Sequence, residues 1–120
     1  MKTDESNSGY NWRIWNDGSL RFYRMTSWCI PDYTSTHTIP VEQWVHLAVV
    51  YDNQNVKQYI NGFQKSSGLG CNFQDSITGN LKINNPGGNH GLYGTIDEVI
   101  IFNKVLTEEQ VKALYELSLG

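Results

Sequence analysis

Trp44–Phe63, WVHLAVVYDNQNVKQYINGF, decides how the rest of the chain reads. Its first half puts Val45, Leu47, Val49 and Tyr51 on one side and Trp44, His46, Ala48 and Val50 on the other. Both faces are apolar, as a strand covered on both sides requires, so this segment is expected to be a central strand. Its second half alternates Val56, Gln58 and Ile60 against Lys57 and Tyr59 and closes on the turn pair Asn61-Gly62. Two period-two runs joined by DNQN predict a hairpin.

Working outward, YNWRIWNDGSLRFYRM (Tyr10–Met25) holds Tyr10, Trp12 and Ile14 on one face, turns at Asn16, Asp17 and Gly18, and resumes with Leu20, Phe22 and Tyr23. Asp-Gly between alternating aromatic runs is a strong hairpin signal. Pro31 and Pro40 then bracket a polar stretch unsuited to a sheet centre. It reads as a long loop with a short edge strand around Ser35–Thr38. Downstream, LKIN reads as a short strand and Gly94–Phe102 as a long one. Thr107-Glu108-Glu109-Gln110 forms a capping box, and Val111, Leu114 and Tyr115 recur at helical spacing, predicting an amphipathic helix docked on the sheets. Short strands separated by regular turn signals indicate an antiparallel sandwich.

A chain of 120 residues suits a single domain over 1–120. Its polar first residues, 1–8, are expected to lack fixed structure. The net charge of -3 and the absence of a Lys/Arg run argue against nucleic-acid or anionic-lipid partners. No apolar run approaches the roughly 18 residues that cross a bilayer, so membrane insertion is not expected, and no signal peptide is visible in the sequence given. Cys29 and Cys71 lack metal-ligand spacing; a disulfide between them and two unpaired thiols are both open readings.

The order W-x-H strand, Tyr-Asp, Tyr-x-Asn-Gly, then GLYGTIDEVIIFNKVLTEEQV (Gly91–Val111) resembles the laminin-G-like, concanavalin A-like jelly-roll superfamily, which includes the pentraxins. The likeness runs from about Tyr10 to Tyr115. It implies an all-β jelly-roll sandwich with a short C-terminal helix, and an extracellular or cell-surface setting. Members usually begin with further strands, so the chain reads as the C-terminal part of a larger domain or as a compact version. In the compact version exposed sheet edges would invite homo-oligomerisation.

On a strand, Asp97 and Glu98 point to opposite faces and cannot act as one acid/base pair. An Asp on an apolar face needs compensation. The resemblance implies a structural Ca²⁺ at Asp97; the bland alternative is a hydrogen-bonded structural Asp. Asp52, Asn53 and Asn55 offer oxygens at a rim where relatives hold ligand-bridging calcium, but they are also ordinary turn residues. The E-x-D-x-x-E spacing of hydrolase relatives is missing, as are a Ser elbow and zinc-type His spacing, so no enzyme activity is expected. Trp28, Tyr33 and His37 lie in the Pro-bracketed stretch, where aromatic faces can stack on a sugar ring while Asp52 and Asn53 bond its hydroxyls. The same groups would suit a protein ligand. Trp12, Trp15, Trp44 and Phe102 are expected in the core, and His46 facing the second sheet or the helix. The expected function is a non-catalytic recognition module for a glycan; the alternatives are a protein-interaction or adhesion module and, behind it, a glycoside hydrolase or an accessory part of one.

Overall fold

The computed structural model describes residues 2–3, 9–15, 17–24, 33–52, 55–69, 81, 83 and 94–120. Among these residues seven strands form two antiparallel sheets, followed by one helix. The first sheet has the order β1-β2-β3-β4, with β1 at Lys2–Thr3, β2 at Gly9–Ile14, β3 at Ser19–Arg24 and β4 at Tyr33–Thr38. The second has the order β5-β6-β7, with β5 at Leu47–Tyr51, β6 at Asn55–Ile60 and β7 at Phe63–Leu69. Lys2 and Thr3 pair with Tyr10 and Gly9, so structure begins inside the stretch expected to be without it.

Both expected hairpins form, and their turns show why. Between β2 and β3 the Gly18 N–H donates to Trp15 O at 2.9 Å, the Trp15 N–H donates to Ser19 O at 2.9 Å, and Gly18 has φ +81°. This is a three-residue loop ending in a left-handed glycine. Asp17 fastens it by accepting from the Ser19 N–H at 2.9 Å and the Ser19 hydroxyl at 2.6 Å. Those bonds, with Arg21 beside it, hold the Asp17 carboxyl below its ordinary pKa. Between β6 and β7, Asn61 and Gly62 have φ 51° and 80°, and Ile60 pairs with Phe63. Two successive left-handed residues make the turn whose twist matches that of antiparallel strands.

The position of the second hairpin differs from expectation. Among the described residues β6 is the central strand and β5 lies at the edge, half-buried along its whole length. Apolar residues on both faces therefore reflect partial cover rather than a neighbour on each side. β4, which contains Ser35–Thr38, is an edge strand as read.

Leu20 and Phe22 of β3 and Val56 and Ile60 of β6 are buried, and Phe22 stands 6.0 Å from Tyr51 between ring centres. Among them lies Gln58, 0 % exposed. Its Oε1 accepts from the Trp12 indole N–H at 2.9 Å, while its Nε2 donates to the Ser66 hydroxyl at 2.9 Å and to Leu20 O at 3.4 Å. A buried amide is tolerated when its donors and acceptors find partners, and here they tie one sheet to the other. β4 and β7, the last strands of the two sheets, also lie against each other.

Helix α1 spans Glu108–Ser118. Thr107 Oγ1 accepts from the Gln110 N–H at 3.2 Å and the Thr107 N–H donates to Gln110 Oε1 at 2.9 Å, completing the expected capping box. Val111 is fully buried, with Leu114 and Tyr115 half-buried on the same stripe. Tyr115 packs 6.0 Å from the His46 ring, and a Cβ on Gly62 would meet Tyr115 Cδ1 at 3.0 Å and Lys112 Cα at 3.4 Å. The helix thus sits on the β6–β7 turn at the closest approach glycine permits.

Gly94–Phe102 departs from the sequence reading, because it belongs to neither sheet and is exposed throughout. Of the side chains expected in the core, Trp12 is half-buried, whereas Trp15, Trp44 and Phe102 are exposed, Trp44 by 70 %. Trp15 instead carries the Arg21 guanidinium over its ring at 4.0 Å. Leu81 makes an isolated bridge and Ile83 lies in a bend, both exposed; the other two residues of the expected LKIN strand lie outside the described residues.

Candidate functional site

One end of the second sheet forms a small cleft. The turn from β5 to β6 brings Asp52 and Asn55 beside Lys57 and Tyr59, and the chain entering α1 supplies Val105, Leu106, Thr107 and Glu108. Val50 completes the lining, around a free volume of about 70 Å³. The place follows from packing: α1 lies on the outer face of β6 with its N-terminus toward the turn. Capping by Thr107 fixes that terminus.

The cleft mixes apolar wall with polar rim. Asp52 Oδ1 accepts from the Asn55 N–H at 2.5 Å, Asp52 Oδ2 accepts from Asn55 Nδ2 at 3.5 Å, and the Asp52 N–H donates to Asn55 O at 3.2 Å. These bonds hold the turn closed, so the reading of Asp52 as a turn residue accounts for its geometry. Its carboxylate stays exposed. Lys57 is exposed on the opposite face of β6 from Gln58. Tyr59 is 1 % exposed, and burial together with the Glu108 and Glu109 charges pushes its phenol pKa up. It therefore stays protonated and able to donate.

His46 stands near the other end of α1, where it meets the Asn61-Gly62 turn. Its N–H donates to Asn61 Oδ1 at 2.9 Å, and the Asn61 N–H donates to His46 O at 2.8 Å, so one turn residue clamps the entry to β5. Its ring faces the helix, as expected. Nδ1 is buried with no hydrogen-bond partner among the described residues, and desolvation lowers the imidazole pKa.

The other sequence candidates are dispersed. Tyr33 and His37 fall in β4, on the sheet opposite the cleft. Trp28, Asn53, Cys29 and Cys71 lie outside the described residues. Asp97 is exposed rather than facing a core, and its Oδ1 accepts the Glu98 N–H at 2.9 Å. Without a strand, the opposed faces assigned to Asp97 and Glu98 disappear, and so does the buried charge a cation was to offset. Calcium takes six to eight oxygens, and among the described residues no group of three or more His, Cys, Asp or Glu could hold a metal ion.

Sequence reasoning reached Asp52 and Asn55 but missed Lys57, Tyr59, Thr107 and Glu108 as their neighbours. The alternation of β6 points Lys57 and Tyr59 together away from Gln58, and that was the available signal. Nothing local to the sequence says which face receives the helix.

A sequence model described as the concanavalin A-like lectin/glucanases superfamily matches residues 1–112. A solved structure of an S-layer domain-containing protein from Clostridium thermocellum ATCC 27405 aligns over 92 % of this chain, with a TM-score of 0.51 and 22 % sequence identity. The aligned region spans 58 % of that chain's length. At this identity the likeness speaks to the fold. No curated protein gives a match.

Proposed function

This chain belongs to the concanavalin A-like lectin/glucanases superfamily, and on that premise we propose that it is a non-catalytic recognition module that binds carbohydrate at the cleft beside α1. A superfamily does not set a function, so the site must carry the argument. The carrying observation is the joining of Asp52, Asn55 and Lys57 with the apolar side chains Val50, Val105 and Leu106 in one small cleft. A sugar offers hydroxyls to the first group and C–H faces to the second. Asn53, next to Asp52 in sequence, is proposed as a further contact, and Trp28, Tyr33 and His37 as a second set of contacts apart from the cleft, through their aromatic faces, with Tyr33 and His37 on the other sheet. The jelly-roll connection of the two sheets belongs to the same reading, as does an extracellular or cell-surface setting.

The non-catalytic part rests on the carboxylates. A glycosidase acid is held protonated by a sheltered environment, with its partner carboxylate across the scissile bond. Asp52 and Glu108 are both exposed, and Asp52 is engaged by its own turn.

A glycan array followed by calorimetry on the best hit tests the proposal. Lys57→Ala, at an exposed position, is expected to weaken binding about tenfold, the effect of losing roughly 1.4 kcal/mol. Trp28→Ala tests the second set of contacts. Unchanged affinity in Lys57→Ala moves the site away from the cleft, and an array without hits overturns the carbohydrate reading. A protein-binding module is the second reading, favoured by the exposed aliphatic side chains between Ile96 and Val105.

A further inference from the structure

His46 is held firmly by its backbone and poorly by its ring. Its N–H donates to Asn61 Oδ1 at 2.9 Å and its carbonyl accepts from the Asn61 N–H at 2.8 Å, which fixes the residue on the β6–β7 turn. Nδ1 is buried and, among the described residues, has no hydrogen-bond partner. The Tyr115 ring of α1 lies 6.0 Å away, and α1 sits so close that a Cβ on Gly62 would meet Tyr115 Cδ1 at 3.0 Å. Trp44, Val45 and Leu47 beside it in the chain, and Asn61 and Gly62 in the turn, carry no charge. On this stretch of α1 the charged groups are Lys112, whose Cα borders Gly62, and Glu116, which is exposed. Desolvation is the cause of the lowered imidazole pKa, with no charged side chain among the described residues adding to it. A neutral ring can keep its one proton on Nε2 and leave Nδ1 as an unmet acceptor. Protonation puts a second N–H and a charge at that buried place, which costs more.

We propose that protonation of His46 releases α1 while both sheets stay paired, and so dismantles the helical wall of the cleft. Three observations select the helix as the part that moves. The first is the clamp: moving the entry to β5 would break the Asn61 bonds at the turn that sets the β6–β7 register. The second is how thinly α1 is attached. Val111 is its one buried residue, Leu114 and Tyr115 are half-buried, and the rest are exposed. A unit with so few buried contacts opens at lower cost than a central strand. The third is length: α1 has 11 residues, below the roughly 12–15 at which a helix holds on its own. Lifting Tyr115 therefore frays the whole helix. Thr107 is tied to it through Gln110, and Val105, Leu106, Thr107 and Glu108 line the cleft, so that wall goes with it. The consequence for binding rests on the carbohydrate reading of the cleft; the release of α1 does not.

Hydrogen exchange of the native chain at about pH 7.5 and about pH 5, corrected for the intrinsic chemical rate, reads the opening of amides 112–118 against those of β6. At both pH values α1 is expected to open more readily than β6. At the lower pH its opening should rise several-fold, up to the roughly thirtyfold that a freed imidazole of ordinary pKa about 6.5 supplies. His46→Phe is expected to keep the protection of α1 at the higher pH and to lose the rise. If that variant does not fold, NMR titration of His46 in the native chain carries the test, and an imidazole that protonates at or above its ordinary pKa overturns the proposal. Helix amides as protected as those of β6 overturn it, because α1 then leaves only with the whole fold. So does an opening that ignores pH, or a rise that persists in His46→Phe. The link to the cleft is read separately with the best glycan-array hit. At about a hundred times its Kd that glycan should suppress the opening of α1 about a hundredfold, and an opening it does not touch overturns the link. An array without hits overturns the carbohydrate reading alone, and exchange in the free chain then decides the release of α1.

Discussion

Val56–Ile60 and Val99–Ile101 are both built from strand-forming residues, yet the first is the buried centre of a sheet and the second lies open to solvent. The difference is in what flanks them. Val56–Ile60 has Asp52 and Asn55 closing a turn on one side and Asn61-Gly62 making a left-handed pair on the other, so β5 and β7 arrive within a few residues and in fixed register. Local closure makes the pairing entropically cheap. Val99–Ile101 has no such turn on its helical side: Thr107 stops the chain from folding back as a strand by starting α1. Apolar composition gives a segment a reason to be covered. The turns beside it decide whether the cover is local.

The largest effect is expected where the buried strand is most committed. Gln58→Ala opens a cavity and strands the Trp12 indole N–H and the Ser66 hydroxyl, costing about 3 kcal/mol from lost packing and unmet hydrogen bonds together. Thermal melting would show the midpoint falling by roughly 10 °C. A shift near zero would mean that Gln58 does not join the sheets. Gly62→Ala comes next: φ 80° disfavours a Cβ, and the Tyr115 ring stands 3.0 Å from where it would go. About 2 kcal/mol is expected from backbone strain and displacement of α1, read by urea unfolding.

The same contrast governs how much of the molecule was legible in the sequence. Asp17-Gly18, Asn61-Gly62 and the Thr107–Gln110 box are local devices, and each formed where the residues indicated, because its hydrogen bonds close within a few positions. The central place given to β5 failed because alternation reports how apolar each face is and not how many strands lie beside it. Gly94–Phe102 failed for a related reason: a strand pattern states a capacity to pair and names no partner. In the cleft, Asp52 was visible as a turn acid. Lys57 and Tyr59 joined it only once α1 had chosen the outer face of β6, a tertiary event that no local motif encodes.

Smaller effects separate the helix from the sheet beneath it. Thr107→Ala removes the acceptor for the Gln110 N–H and should cost about 1 kcal/mol, with the loss of helix signal in circular dichroism preceding that of the sheet. Protonation acts at the same contact. His46 has a folded pKa below its ordinary value of about 6.5 because it is desolvated against α1. Between the folded and unfolded pKa values the unfolded chain binds a proton that the folded chain refuses. Stability should therefore fall as pH drops below about 6.5 and level off once the folded form is protonated too. Asp17 has the opposite chemistry and a lower window: its depressed pKa contributes stability above the ordinary carboxylate range, near 4, which is lost as pH falls through the folded value. Urea midpoints from pH 7.5 to 3 should show both limbs, and His46→Phe, which keeps a ring against Tyr115, should flatten only the first.

The smallest effect is expected in the segment that is apolar but exposed. Ile100 is 59 % exposed, so Ile100→Ser removes little that the folded monomer has withdrawn from water. At dilutions where the chain is monomeric, its unfolding free energy should change by less than about 0.5 kcal/mol, the usual range for surface positions. Val56→Ser, a similar chemical change at a buried position of β6, should cost about 2–3 kcal/mol by the transfer of its side chain. The pair measures burial at constant hydrophobicity. If Ile100→Ser proves as costly as Val56→Ser in the monomer, the two runs are alike after all, and 96–102 is covered by its own sheets in solution. If the cost appears only as protein concentration rises, it belongs to an interface, because mass action adds stability only where a second copy binds the folded form.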